Sequence, residues 1–116
     1  MAVTIYHNPR CSKSRQTLAL LESRGVKPRV VEYLKTPPDR ATIVALLRKL
    51  GIDAGQLVRR KEPEFAALGL DAAGVSEDEL IDAMASHPKL IERPVVVVDR
   101  RARIGRPPEA VLEILP

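Results

Sequence analysis

Val95-Val96-Val97-Val98 is the stretch that most limits what this chain can become. Four consecutive β-branched residues, preceded by Pro94 and followed by Asp99-Arg100, favour an extended backbone. A strand with no polar residue on either side of its pleat belongs in the middle of a sheet, buried on both faces. The start of the chain supplies partners for it. Ala2 to Tyr6 is a short run rich in β-branched residues that ends in Asn8-Pro9, the pattern of a buried strand running into a loop. From Ser12 onward Leu18, Ala19 and Leu21 recur at helical spacing as far as Gly25, a left-handed stop. Arg29 to Leu34, with Val30, Val31 and Tyr33, reads as a second strand, so the chain opens as strand, helix, strand, a parallel crossover.

The middle of the chain reads as helical. Thr36 is the expected cap of a helix with Pro37 and Pro38 in its first turn and Asp39 three residues on; Ile43, Leu46, Leu47 and Leu50 form its apolar face and Gly51 stops it. Residues 53–70 are expected to hold two short helical pieces broken near Pro63 and Gly69. The Arg59-Arg60-Lys61 run within them is, on charge alone, a solvated face. Ser76 with Glu79 forms a capping box ahead of Leu80, Ile81 and Met84, and His87-Pro88 ends that helix. After the valine strand, Asp99 to Arg101 turns the chain, Ala102 to Ile104 returns antiparallel, and Gly105-Arg106-Pro107-Pro108 leads into a last helix carrying Val111, Leu112 and Leu115.

Composition sets limits on function. A chain of 116 residues with 45% hydrophobic content can bury one proper core, and nothing in it suggests a second domain. Neither a long apolar span nor a secretory leader is visible, which makes the cytoplasm the expected compartment and a membrane role unexpected. The net charge of +4 fits anion binding, while aromatics at 3% leave few platforms for stacking bases, so a small oxyanion is expected in preference to nucleic acid. One cysteine cannot close an internal disulfide, and with two histidines it offers no metal-ligand spacing, so no metal is expected.

That cysteine, Cys11, stands between the first strand and the first helix, in His7-Asn8-Pro9-Arg10-Cys11-Ser12-Lys13-Ser14-Arg15. An inert core cysteine would more naturally lie inside the strand. At a helix N-terminus the unpaired N–H groups and the helix dipole favour an anion, and Arg10, Lys13 and Arg15 add positive charge, as His7 does when protonated. All of these push a thiol toward the thiolate that attacks.

Strand, helix, strand, a helical insertion, then a hairpin and a final helix is the element order of a thioredoxin-like fold. The residues make the likeness specific. Ile5 through Pro9 with Cys11, Ser14 and Arg15, then Tyr33-Leu34 with Thr36-Pro37-Pro38, Leu68-Gly69-Leu70, Ile91 through Val97, and Arg106-Pro107 follow one another in collinear order over nearly the whole chain. On them the chain resembles the glutaredoxin-dependent arsenate reductase (ArsC) family, and within it the shorter, arsenate reductase-like subgroup. The resemblance implies an α/β thioredoxin-like fold with a mixed, about four-stranded sheet, forming a single domain over residues 1–116 with a helical insertion at about 36–88. It implies reduction of arsenate to arsenite by Cys11 as nucleophile, with His7 and Ser14 supporting it by charge or hydrogen bonding. Arg59, Arg93 and Arg106 would hold the oxyanion, aided by Arg15, and Pro94 matches the family's cis-proline. No bound cofactor is implied. Glutathione is the external reductant and glutaredoxin the partner of an expected monomer. One departure is that Ser12-Lys13-Ser14 stands where the well-studied reductases have Gly-Thr-Ser. Two other readings share the fold: a glutaredoxin-like thiol transferase, and an Spx-like regulator that binds RNA polymerase, whose Cys-x-x-Cys switch cannot form here because Ser14 takes the fourth position.

Overall fold

The computed structural model describes residues 2–115, which fall into two compact units: one runs to Thr36 and resumes at Arg93, the other is Pro37–Glu92. The first unit holds strands β1 (Val3–His7), β2 (Arg29–Glu32), β3 (Val95–Val98) and β4 (Arg101–Ile104) in one sheet of order β2-β1-β3-β4. β1 runs parallel to β2 and antiparallel to β3, with Ile5 opposite Val30 and Val96, and β3 runs antiparallel to β4. This is the mixed four-stranded sheet of a thioredoxin-like α/β fold. All four valines of β3 are buried, as a strand inside the sheet requires. Helix α1 (Ser12–Ser23) follows β1, and a 3-10 segment, Pro108–Ile114, packs against both α1 and β4. Val3, Ile5, Leu21, Val96, Val98, Val111 and Ile114 form one core cluster between them.

Two readings change in this unit. The last helix is 3-10 in place of α, because its buried residues Pro108, Val111 and Ile114 repeat every three positions, which aligns them on one face of a helix with three residues per turn. β2 ends at Glu32, with Tyr33 buried in the turn that follows; Lys35 and Thr36 both donate their N–H to the Glu32 carbonyl, which bends the chain out of the sheet. Val30 of β2 is 45% exposed, as suits the edge of the sheet.

In the second unit α2 (Arg40–Leu50) packs against α5 (Glu77–Ser86), joining Ile43, Leu46 and Leu47 to Leu80, Ile81 and Met84. The cap of α2 is Asp39, not Thr36: the Asp39 carboxylate accepts the Thr42 N–H at 2.8 Å, and the two prolines precede the helix. Arg40 of α2 pairs with Asp78 and Asp82 of α5. The two short pieces are α3 (Ala54–Leu57) and α4 (Pro63–Ala67), and the Ser76 capping box of α5 is formed. An isolated bridge, Val58 to Ile91, and the bond from the Arg59 N–H to the Leu90 carbonyl at 2.7 Å hold the segment between α3 and α4 against the end of the unit.

Candidate active site

The path from β1 to α1 is fixed by its own polar groups. Asn8 opens a turn that the Cys11 N–H closes onto the Asn8 carbonyl at 3.0 Å, while Asn8 Oδ1 accepts the Arg10 N–H at 3.0 Å. The Arg15 guanidinium reaches back from the first turn of α1 and donates to the Pro9 carbonyl at 2.9 Å. Cys11 is thereby placed at the N-cap of α1 in an extended conformation, its carbonyl accepting the Arg15 N–H at 3.0 Å. No side chain caps this helix, and no acidic residue lies in its first turn. The free N–H groups and the positive end of the dipole are left for whatever anion occupies position 11.

The thiol itself is half-buried. Burial raises its pKa, but the backbone N–H of Ser14, the charge of Arg93, the backbone N–H of Lys13 and the Arg106 guanidinium act the other way and together hold it below the ordinary thiol value. Two arginines far apart in sequence are thus brought to one sulfur. Arg106 Nη1 donates to the Arg93 carbonyl at 3.1 Å, tying the two together. Each precedes a cis proline, Arg93–Pro94 and Arg106–Pro107. Between β4 and Arg106 lies Gly105, whose N–H donates to the Pro94 carbonyl at 2.9 Å. A Cβ at Gly105 would stand 2.5 Å from Thr17 Oγ1 and 2.8 Å from Pro94 Cγ, so only glycine lets this strand end approach α1 and the Pro94 ring closely enough to deliver Arg106.

His7 and Ser14 form the inner support. Ser14 is fully buried; its Oγ accepts the Asn8 N–H at 3.0 Å and lies 2.6 Å from His7 Nδ1. Ser14 therefore meets Cys11 through its backbone N–H and spends its hydroxyl on the loop. Of the two ways in which His7 is expected to support the cysteine, its setting favours hydrogen bonding over charge. Burial pushes its pKa down, Glu32 opposes this and Arg15 reinforces it, with a net lowering that keeps the imidazole neutral near neutral pH.

Arg15 and Arg59, the other predicted oxyanion residues, are engaged in contacts of their own. Arg15 is engaged with Pro9 and serves the loop. Arg59 belongs to the second unit, where Nη1 pairs with Glu62 at 2.6 Å and also donates to the Lys89 carbonyl at 3.3 Å; its Nε and Nη2 have no partner among the described residues. Arg60 lies over the Phe65 ring. Among the described residues no group of three or more His, Cys, Asp or Glu is placed to hold a metal, and no helix is long and apolar enough to cross a membrane. Sequence reasoning missed Asn8, Thr17 and Gly105. The signal for Thr17 was present: Ser14, Thr17 and Leu21 recur at helical spacing and are the buried face of α1, but two of the three are polar and an apolar pattern passes over them.

The sequence model of the ArsC family matches residues 6–114. The chain is 57% identical to the uncharacterized protein YfgD of Escherichia coli K12 over 97% of its own length and 96% of that protein's. It is 51% identical to the arsenate reductase of Rhizobium meliloti over 100% of its own length and 83% of the relative's. The solved structure of arsenate reductase from Vibrio cholerae superposes with a TM-score of 0.97 at 52% identity, covering 99% of this chain and 98% of that one.

Proposed function

The chain belongs to the ArsC family, and from that premise we propose that it is an arsenate reductase of the glutathione and glutaredoxin type, an oxidoreductase that uses Cys11 as its single nucleophile. The observation that carries the reading is the thiol at the uncapped start of α1, held below the ordinary thiol pKa by the Ser14 and Lys13 N–H groups with Arg93 and Arg106 beside it. The same donors suit a tetrahedral oxyanion, because planar guanidinium forks offer paired N–H groups that match two oxygens at once.

In this reading the Cys11 thiolate displaces a hydroxyl from arsenate, which leaves as water after taking a proton, and a sulfur–arsenic(V) bond forms. A glutathione thiolate then attacks the Cys11 sulfur. The electron pair of the sulfur–arsenic bond passes to arsenic, which departs as arsenite, two electrons reduced, and Cys11 is left in a mixed disulfide with glutathione. Glutaredoxin accepts that glutathione and returns Cys11 to the thiolate. His7 and Ser14 are positioning residues that hold the loop. Arg93 and Arg106 hold the oxyanion, and family resemblance gives Arg59 an anion-holding role, for which its Nε and Nη2, without a partner among the described residues, are suited. No resident cofactor takes part.

The test is arsenate-dependent NADPH oxidation coupled through glutathione reductase, glutathione and glutaredoxin. Cys11→Ser should abolish it. Arg93→Ala and Arg106→Ala should each lower kcat/KM by roughly 10- to 150-fold, the loss of a charged hydrogen bond worth about 1.5–3 kcal/mol, with Arg59→Ala more damaging than Arg60→Ala. Arsenate-independent reduction of glutathione mixed disulfides by the wild type, with no arsenate turnover, would replace this reading by that of a thiol transferase.

A further inference from the structure

The turn that ends at Cys11 is also one wall of a cleft that the steps above leave unused. It is a cavity of about 260 Å³ lined by His7 at the end of β1, by residues 8–10 of the turn, and by Glu32 at the end of β2 with Leu34 and Lys35 just after it. Its charges are sparsely engaged. The Arg10 guanidinium has no hydrogen-bond or ion-pair partner among the described residues, its backbone N–H alone being taken up by Asn8. Lys35 meets Glu32 at 3.5 Å, with 79% of the lysine and 40% of the glutamate side chain exposed, a contact too long and too wet to neutralise either group. Asn8, which also lines the cleft, uses its Oδ1 on the Arg10 N–H and has no partner for its side-chain NH2 among the described residues. Leu34, 38% exposed, adds an aliphatic wall.

Two cations, one carboxylate, an amide donor and one aliphatic surface carry a net charge of one positive unit. They are complementary to a small peptide bearing two carboxylates and one ammonium, of opposite net charge. A ligand of that kind is also what the cysteine count demands, because the chain's one thiol cannot form a disulfide without a second from outside, and the cleft wall runs directly into Cys11, whose N–H closes the turn on Asn8. We propose that this cleft is the docking site of the thiol co-substrate, a low-molecular-weight peptide thiol whose carboxylates meet Arg10 and Lys35 and whose ammonium meets Glu32. The inference rests on the reading of Cys11 as a nucleophile resolved by an external thiol, and not on which oxyanion it attacks.

The experiment runs the thiol step in reverse on the full chain. The Cys11 thiolate attacks glutathione disulfide; its sulfur–sulfur bond breaks, one glutathione leaves as thiolate, and the other remains in a mixed disulfide with Cys11. Rates are compared with those for 2-hydroxyethyl disulfide, which has no charges to recognise and reports thiolate reactivity alone. The ratio of the two rates should fall about five- to tenfold in Arg10→Glu and in Lys35→Glu, the size of a reversed rim charge, and stay near the wild-type value in Lys27→Glu, an equal charge change in the exposed segment between α1 and β2. An equal fall in Lys27→Glu would reduce the effect to net charge, a parallel slowing of both disulfides would reduce it to thiolate reactivity, and an unchanged ratio in both cleft variants would leave the cleft without a role; each overturns the proposal. Absence of arsenate turnover would not touch these rates, so the two readings fall separately.

Discussion

At Cys11 two opposing effects meet. Half-burial favours the neutral thiol, and the Ser14 N–H, the Arg93 charge, the Lys13 N–H and the Arg106 guanidinium favour the thiolate, with the second group prevailing. The alkylation rate of Cys11 should therefore stay high below pH values at which a free thiol, with a pKa of about 8.5, has lost its thiolate. Arg106→Ala should move the profile upward, since it removes a hydrogen bond to the sulfur and the tie to the Arg93 carbonyl together; a profile that does not move would detach Arg106 from the nucleophile. Gly105 is the other residue on which the site turns. Gly105→Ala places a methyl 2.5 Å from the buried Thr17 Oγ1 and should destabilise the fold by about 1–3 kcal/mol in denaturant titration, as overpacking does. Wild-type stability in that variant would mean that α1 and the Pro94 loop give way easily. Of these contacts the sequence displays Cys11 and the Arg-Pro pairs, because unusual residue types stand out. It hides Gly105, a glycine like any other until the backbone that passes beside Thr17 and Pro94 is known.

At the scale of the element, α1 stands out by how it begins. Its N-cap is a cysteine with no side-chain cap bond, whereas α2, α3 and α5 are capped by Asp39, Asp53 and Ser76. Cys11→Asp installs a good cap and a permanent negative charge at the same helix start, so it should raise stability by about 0.5–1 kcal/mol while abolishing activity. A less stable variant would show that position 11 is not the anion-binding end of the helix. The elements themselves were largely legible. β1, α1, β3 and the Ser76 helix announce themselves by period, branching and caps. The exceptions have particular causes. Thr36 resembles a cap, but two prolines separate it from a helix whose N–H groups reach only Asp39. The final segment shows apolar residues compatible with an α-helix, and the choice of 3-10 depends on Pro108, Val111 and Ile114 all facing the same core, a tertiary demand.

For the whole molecule the cysteine count decides what it can accomplish alone. Reduction of arsenate takes two electrons, and this chain of 116 residues contains one thiol. On the proposed mechanism arsenate is held and bonded at Cys11, and arsenic(III) leaves only when an external thiolate attacks the Cys11 sulfur. The most direct measurement is arsenite released per mole of protein in a single turnover, first with arsenate alone and then after glutathione is added. With arsenate alone the account predicts no arsenite. Glutathione should then release up to one equivalent and leave Cys11 heavier by one glutathione in intact mass, with repeated turnover beginning only when glutaredoxin is present. Arsenite released before any external thiol is added, or released at the same rate by Cys11→Ser, would contradict it.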